Sequence, residues 1–171
     1  MGRYPPEKWY DYSSHNKTLK TIRILPMKVP LPLSKSQNIP LDQHFTIEGF
    51  LEKYSLNIPQ LSGIIDLTNT HYYDPEICNT FKVKYLKIFV EGHVIPSNDV
   101  FEKFCEAIES LDRDKIVAIH CTHGVNRTGY LICRYLIEKC NLSPAEAIEE
   151  FETARGHSID RKAYVNHLLT L

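Results

Sequence analysis

The sequence predicts a single α/β domain with a central, largely parallel sheet flanked by helices and a phosphate-binding loop at a strand end. First, its 171 residues, 43% hydrophobic and 24% charged, suit one globular domain with a sizeable core. Second, short continuously apolar segments alternate with helical segments, as in parallel sheets covered on both faces. Third, residues 120–130 read HCTHGVNRTGY and join an apolar segment to a helical one.

Three strands are predicted from continuous apolar segments. Residues 63–67 form the first, because turn residues bound them, and residues 83–90 and 116–120 form the second and third. A helix is expected between the last two, with Asp99 and Glu102 as its capping box. Its apolar face consists of Val100, Phe104, Ala107, Ile108 and Leu111.

Three helices are predicted after the cysteine loop. Residues 128–140 are mostly apolar, which indicates a buried helix. Residues 143–146, Ser-Pro-Ala-Glu, supply an N-cap, a proline at the first helical position and a capping glutamate for the next helix, which ends at Gly156. Asp160 is expected to cap the last helix, which runs to residue 169.

Residues 1–40 are predicted to form a basic, proline-rich arm packed on a catalytic core of residues 41–171. Because the net charge of the chain is only −1, charge alone leaves open whether the arm forms a basic binding face or is simply solvated. Residues 26–40 contain four prolines and are expected to extend over the surface, with a PxxP ligand as the alternative. Trp9 is expected to anchor the arm, the alternative being that it stacks on bases with Tyr10 and Tyr12.

Composition also indicates the redox compartment of the protein and whether it contains a membrane span. Five cysteines without framework spacing, and no N-terminal signal peptide, predict a reducing compartment. No apolar stretch is long enough to span a bilayer.

The cysteine loop predicts nucleophilic chemistry. Cys121 is followed by five residues and then by Arg127 and Thr128. At a strand-to-helix junction, converging N–H groups and the helix dipole favour a thiolate, which is the nucleophile. The same N–H groups can bind a tetrahedral phosphate, and Arg127 can hold two of its oxygens. The sequence thus predicts hydrolysis of a phosphate ester or anhydride through a phosphocysteine, rather than a merely buried Cys121.

Roles for the neighbouring residues follow from this chemistry. Thr128 is expected to donate its hydroxyl to the cysteine sulfur and so lower its pKa, and His120 to fix the loop by hydrogen bonding rather than to act as a base. The substrate-binding residues of the loop are predicted to be Thr122, His123, Gly124, Val125 and Asn126. The spacing of its histidines and cysteine matches no good zinc pattern, so we expect neither a metal nor another cofactor.

Residues 120–136, HCTHGVNRTGYLICRYL, resemble the signature of cysteine-dependent RNA 5′-phosphatases of the atypical dual-specificity phosphatase superfamily. The five residues between Cys121 and Arg127, Thr-His-Gly-x-Asn, define a much more specific signature than the general HCxxGxxR pattern. Residues 5–9 (PPEKW), 65–70 (IDLTNT) and 154–157 (ARGH) are similar to other segments of this family, and the resemblance runs from about Pro5 to Leu169. The resemblance is to the branch of this family that contains the RNA/RNP-complex-interacting phosphatase and the baculovirus RNA phosphatase.

The resemblance implies a dual-specificity-phosphatase-like fold and a metal-independent RNA 5′-polyphosphatase. Such an enzyme removes the γ- and then the β-phosphate and leaves a 5′-monophosphate. The resemblance favours Arg161 over Arg155 for binding the outer phosphates, although either could be a surface arginine. It implies RNA 5′-polyphosphate and ribonucleoprotein partners, no membrane, a monomer and a nuclear location. Because the chain has no Lys-x-Asp-Gly nucleotidylation motif, a free-standing phosphatase is favoured over a capping enzyme.

The lack of a clear general acid is consistent with that product. The candidate acids are Glu91, Asp99 and Asp66, which also suit a surface charge, a helix cap and a strand-end residue that binds backbone N–H groups. Without an acid, a phosphate leaves readily and the ribose 5′-oxygen does not.

Three other functions remain open on the sequence. A protein tyrosine or dual-specificity phosphatase would use the same loop. A phosphoinositide phosphatase is weaker, because residues 122–126 contain no lysine. A catalytically inactive binding domain is disfavoured, because Cys121 and Arg127 are both present.

Overall fold

The computed structural model describes residues 4–56 and 60–171. Its four-stranded sheet has the order β1-β4-β2-β3, and each neighbouring pair is parallel. The strands are β1 (Ile24–Met27), β2 (Leu61–Asp66), β3 (Lys84–Lys87) and β4 (Ile116–His120). The predicted α/β class with a parallel sheet is therefore confirmed, and the three predicted strands correspond to β2, β3 and β4.

Helices cover both faces of the sheet. Within the described residues they are α1 (Ile47–Ser55), α2 (Glu76–Thr80), α3 (Asn98–Glu109), α4 (Arg127–Cys140), α5 (Pro144–Arg155) and α6 (Lys162–Leu168). One hydrophobic cluster joins α3, α4, α5 and α6 to one face. A second cluster joins α1, α2 and the N-terminal segment to the other. None of these helices has the length and apolar character needed to cross a bilayer.

Helix caps confirm one sequence prediction and correct two. Ser143 and Glu146 form the predicted capping box, and α5 ends at Gly156 with φ 81°. Helix α3 is instead capped by Ser97, whose side chain accepts from the N–H of Val100, so Asp99 lies inside the first turn and the Asp99–Glu102 box was wrong. Asp160 does not cap α6. Its carboxylate is directed to the N-terminal arm, where it accepts from the hydroxyl of Tyr12.

The segment that follows residue 23 is more buried than the sequence suggested. Strand β1 pairs with β4 at the edge of the sheet, and Val29 and Leu31 are fully buried. The expectation that residues 26–40 extend over the surface is therefore wrong for residues 26–31. Pro26 had obscured the strand, but a proline is tolerated at a sheet edge because the missing N–H is not needed for a second neighbour.

Trp9 anchors the N-terminal arm, as predicted. Its side chain is fully buried, and its indole Nε1 donates to the carbonyl of Val29 at 2.9 Å. Lys28 lies against it, with Nζ 3.6 Å from the ring centroid. The arm is thus held on the sheet face that carries the second cluster.

Candidate active site

The cysteine loop connects the central strand β4 with helix α4. β4 ends at His120 and α4 begins at Arg127, so the loop backbone faces the N-terminus of a 14-residue helix. Gly124 has φ 74°, and a Cβ at this position would lie 2.3 Å from the carbonyl oxygen of Met27. Glycine therefore allows the loop to pack directly on the backbone that follows β1.

Cys121 has the environment of a nucleophile. Its side chain is buried, which by itself raises the pKa of the thiol. The Arg127 guanidinium, then the hydroxyl and N–H of Thr128 and the N–H of Gly124, outweigh this burial and hold the pKa below its ordinary value. The Thr128 hydroxyl is buried and, within the described residues, has no partner in good hydrogen-bond geometry. It nevertheless acts on the sulfur, because it is among the groups that lower the pKa of Cys121.

Arg127 is fixed across the loop. Its Nη1 donates to the carbonyl of Val90 at 3.1 Å, and its Nη2 donates to the hydroxyl of Thr122 at 3.0 Å. The guanidinium is thereby tied both to the loop and to the segment after β3. The guanidinium also lowers the pKa of Cys121, and its role of binding phosphate oxygens stays a prediction.

His120 lies beneath the loop and not in the cleft. It is fully buried, with Nε2 2.8 Å from the hydroxyl of Tyr73 and Nδ1 3.2 Å from the carbonyl of Cys121. Burial lowers its pKa, although the nearby Asp66 carboxylate acts in the opposite direction. These contacts fit the expected role of fixing the loop.

Asp66 is not a general acid, and this suggestion is corrected. It is 2% exposed, accepts from the N–H of Thr68 at 2.9 Å and lies 3.2 Å from Nζ of Lys87. Burial alone would raise its pKa, but the neighbouring imidazole of His120 and the hydroxyls of Tyr85 and Thr68, together with Lys87, lower it. An ionised, enclosed carboxylate has no proton to give to a leaving group. The alternative role at the strand end, binding a backbone N–H group, is confirmed.

Arg155 supports the loop from within, so its assignment as a substrate-binding residue was wrong. Its side chain is fully buried, which lowers its pKa to about 10. The guanidinium donates to the carbonyls of Gly124 (3.1 Å) and His123 (2.9 Å) and to the carbonyl and hydroxyl of Ser13 (2.8 and 3.1 Å). These bonds use four of the five N–H donors and connect the loop to the N-terminal arm, and Arg155 is not among the residues that line the cleft.

The other loop side chains mainly hold neighbouring segments. His123 Nε2 is 2.6 Å from the carbonyl of Glu7, and Oδ1 of Asn126 accepts from the N–H groups of Asp160 and Arg161, each at 3.0 Å. The side chain of Val125 is fully buried. Direct substrate contact by these residues, through the backbone N–H groups of the loop, stays a prediction.

A cleft of about 680 Å³ contains Cys121. Its floor includes Thr122 and Arg127 of the loop, and Lys8 and Tyr12 of the arm form part of its wall. Arg161, which the family resemblance favoured for the outer phosphates, also lines it. In the part of the chain that the structure describes, no three His, Cys, Asp or Glu side chains are grouped to hold a metal ion.

Lys28 holds the N-terminal arm from beneath, a role that the sequence did not reveal. It is 3% exposed, and Nζ donates to the carbonyls of Trp9 (2.9 Å) and Tyr12 (2.7 Å). Burial lowers its pKa to about 8. Two signals were present in the sequence, a lysine between two apolar residues and a resemblance of residues 26–31 to a Lys-x-Pro-Leu segment of the family. Neither signal identifies the distant partners of Lys28.

Comparison with known proteins gives a family and two groups of relatives. Residues 49–171 match the family described as the dual specificity phosphatase catalytic domain. The human RNA/RNP complex-1-interacting phosphatase is 40% identical over 173 residues, which are 98% of this chain and 52% of that protein. The tyrosine-protein phosphatase of Autographa californica nuclear polyhedrosis virus is 34% identical over 169 residues, 96% of this chain and 98% of the viral protein. The chain thus spans about half the length of its mammalian relatives.

Solved structures share the fold. The alignment with the active form of Tk-PTP covers 92% of this chain and 97% of the Tk-PTP chain, with a TM-score of 0.66 and 18% identity. The alignment with human DUSP28 covers 92% of this chain and 91% of the DUSP28 chain, with a TM-score of 0.59 and 15% identity. The predicted dual-specificity-phosphatase-like fold is therefore confirmed.

Proposed function

Because the chain belongs to the dual specificity phosphatase catalytic domain family, we propose that it is a phosphatase whose substrates are the 5′-triphosphate and 5′-diphosphate ends of RNA. In this proposal the enzyme removes the γ- and then the β-phosphate and leaves a 5′-monophosphate. The name of the human relative, which refers to an RNA/RNP complex, supports an RNA substrate.

The chemistry requires two displacements at phosphorus. The Cys121 thiolate attacks the terminal phosphorus, an S–P bond forms, and the bond to the bridging oxygen breaks with its electron pair leaving on the RNA phosphate. Arg127 and the loop N–H groups stabilise charge on the equatorial oxygens. Water then attacks the phosphocysteine, releasing inorganic phosphate and restoring the thiolate, which Thr128 stabilises as it departs.

The observation that carries the proposal is where the candidate acids lie. Asp66 is enclosed and ionised, and neither Glu91 nor Asp99 lines the cleft. Of the carboxyl groups that do line it, Asp160 accepts the Tyr12 hydroxyl at 2.6 Å and Glu7 is exposed on the arm. A site without a positioned acid favours a leaving group that needs no proton. A phosphate satisfies this requirement and a ribose alkoxide does not.

The test is phosphate release from RNA labelled at the γ- or β-position, in the presence of a metal chelator. We expect both labels to be released and 5′-monophosphate RNA to persist. Cys121→Ser, which keeps the size of the side chain but removes the thiolate, is the matched control and is expected to lack turnover. Rapid release of phosphate from 5′-monophosphate RNA would refute the leaving-group argument.

A second candidate is a protein tyrosine or dual-specificity phosphatase. It is favoured by the viral relative, which is named a tyrosine-protein phosphatase, and by a loop that serves both chemistries equally well. The two functions are separated by comparing kcat/KM for triphosphate RNA and for a phosphotyrosine peptide. A preference for the peptide would replace the first proposal with the second.

A nuclear location, a monomeric state and ribonucleoprotein partners complete the proposal. They rest on the family resemblance. Imaging of the tagged protein in cells tests the first, light scattering the second, and ribonuclease-sensitive co-purification the third.

A further inference from the structure

Two basic side chains of the cleft have an uncommon backbone conformation. Among the described residues, the non-glycine residues with positive φ are Lys8, Lys82, His93 and Asn141. Lys8 (φ 63°) and His93 (φ 67°) both line the cleft that contains Cys121. Such conformations are infrequent outside glycine, and they persist where the surrounding structure imposes them, often at functional sites. Neither residue has a role in the mechanism described above.

The turn at Lys8 is fixed although its side chain is exposed. The N–H of Asp11 donates to the Lys8 carbonyl at 3.0 Å, and the N–H of Trp9 donates to the Pro6 carbonyl at 3.1 Å. The buried indole of Trp9 then holds this turn to the core. The side chain of Lys8, which is among the residues that line the cleft, therefore starts from a fixed backbone.

His93 is fixed in a similar way by a different part of the chain. The neighbouring carbonyl of Val94 accepts from the hydroxyl of the buried Tyr164 at 2.6 Å. Nε2 of His93 lies 3.5 Å from Nη2 of Arg161. The backbone N–H of Arg161 donates to Oδ1 of Asn126 in the loop. His93 and Arg161 thus meet at the cleft while their backbones are anchored separately.

We propose that Lys8 and His93, together with Arg161, bind the phosphates beyond the one that Cys121 attacks. This inference rests on the proposed function. In the proposed mechanism the loop amides and Arg127 bind the transferred phosphate, whereas a polyphosphate brings further anionic oxygens into the cleft. These need donors outside the loop, and the three basic residues come from the arm, the segment after β3 and the start of α6. The Asp160 carboxylate in the same cleft is bonded to the Tyr12 hydroxyl, and Glu7 is the other carboxylate there.

The experiment replaces each residue by asparagine, which tolerates a left-handed backbone but cannot carry a positive charge. The variants are Lys8→Asn and His93→Asn, and the matched control is Lys82→Asn. Lys82 is an exposed lysine with φ 58° that lies outside the cleft. We compare kcat/KM for 5′-triphosphate RNA with that for p-nitrophenyl phosphate, which has no outer phosphates.

Both cleft variants should lower the ratio of the two kcat/KM values by about ten-fold, the loss expected for one charge-assisted hydrogen bond, through a higher KM for RNA. Lys82→Asn should leave the ratio at the wild-type value. Melting temperatures close to wild type exclude unfolding as the cause. An unchanged ratio in both variants, with wild-type protein active on triphosphate RNA, overturns the inference and leaves the proposed function intact. Wild-type protein that is inactive on triphosphate RNA overturns both.

A binding measurement without turnover gives a second readout. In a Cys121→Ser background, calorimetric titration with inorganic tripolyphosphate is compared with titration with inorganic phosphate. Lys8→Asn in this background should weaken tripolyphosphate binding about ten-fold more than phosphate binding. An equal loss for the two anions would contradict a separate site for outer phosphates.

Discussion

Replacing Gly124 by alanine should impair the cysteine loop more than its small size suggests. The added Cβ would lie 2.3 Å from the carbonyl oxygen of Met27, 2.5 Å from its carbonyl carbon and 2.8 Å from the nitrogen of Lys28. Ordinary contacts of a Cβ begin near 3.4 Å. Because all three neighbours are backbone atoms, no rotamer change relieves the clash, and the loop must separate from the segment after β1 by about 1 Å.

The magnitude follows from two separate costs. The left-handed backbone costs alanine roughly 1–2 kcal/mol, and the steric overlap adds roughly 1–3 kcal/mol. A total of about 3 kcal/mol corresponds to a fall in melting temperature of about 10 °C for a domain of this size. A displacement of about 1 Å in the loop that holds Cys121 should lower kcat by about a hundred-fold.

Two glycines provide matched controls, assayed by thermal unfolding and by phosphate release. Gly156 has φ 81°, but a Cβ there would lie 3.6 Å from its nearest neighbour, so Gly156→Ala measures the backbone cost alone. Gly92 has nothing within 4 Å of such a Cβ, so Gly92→Ala carries neither cost. If Gly124→Ala melts no lower than Gly156→Ala and keeps its rate within about three-fold of wild type, the steric argument is refuted.

Three further predictions concern charged groups around the loop. Arg155→Met leaves the loop carbonyls without their donor and should lower kcat at least about ten-fold on triphosphate RNA and on p-nitrophenyl phosphate alike; a loss confined to RNA would instead indicate substrate contact. The rate of alkylation of Cys121 by iodoacetamide should rise with pH with a midpoint below 9.0, and Arg127→Ala should shift it upward, because the guanidinium is the strongest group stabilising the thiolate. A midpoint that does not move would contradict this cause. The pKa of Asp66 is lowered in the folded protein, so its ionised carboxylate stabilises the fold fully above pH 3.8, the ordinary pKa of an aspartate. This stabilisation is lost as the pH falls through the pKa of Asp66 in the folded state. Asp66→Asn should therefore melt below wild type at neutral pH, the difference shrinking below pH 3.8, and a constant difference across that range would argue against ionisation of Asp66.

Features encoded in consecutive residues could be predicted from the sequence. The apolar segment before Cys121, the spacing to Arg127 and the helix that follows lie in one continuous stretch, so strand, loop and helix were predicted together. The capping box of α5 has the same local origin. Strand β1, by contrast, was missed because Pro26 disfavours a strand unless that strand lies at an edge, and the sheet order decides which strand does.

The environment of each ionisable group was decided by the tertiary structure. Parallel pairing places Asp66 opposite Lys87 on one side and His120 on the other, which turns a candidate acid into a fixed carboxylate. Arg155 lies 31 residues after Gly124 along the chain, yet it bonds to that carbonyl because α5 packs beside α4.

By itself the sequence determined the candidate nucleophile and the loop that holds it, because both belong to one short segment of the chain. Only the tertiary structure decided which charged side chains reach the cleft and which are enclosed behind it. Burial and charge depend on partners brought together from distant parts of the chain, and local patterns do not contain that information.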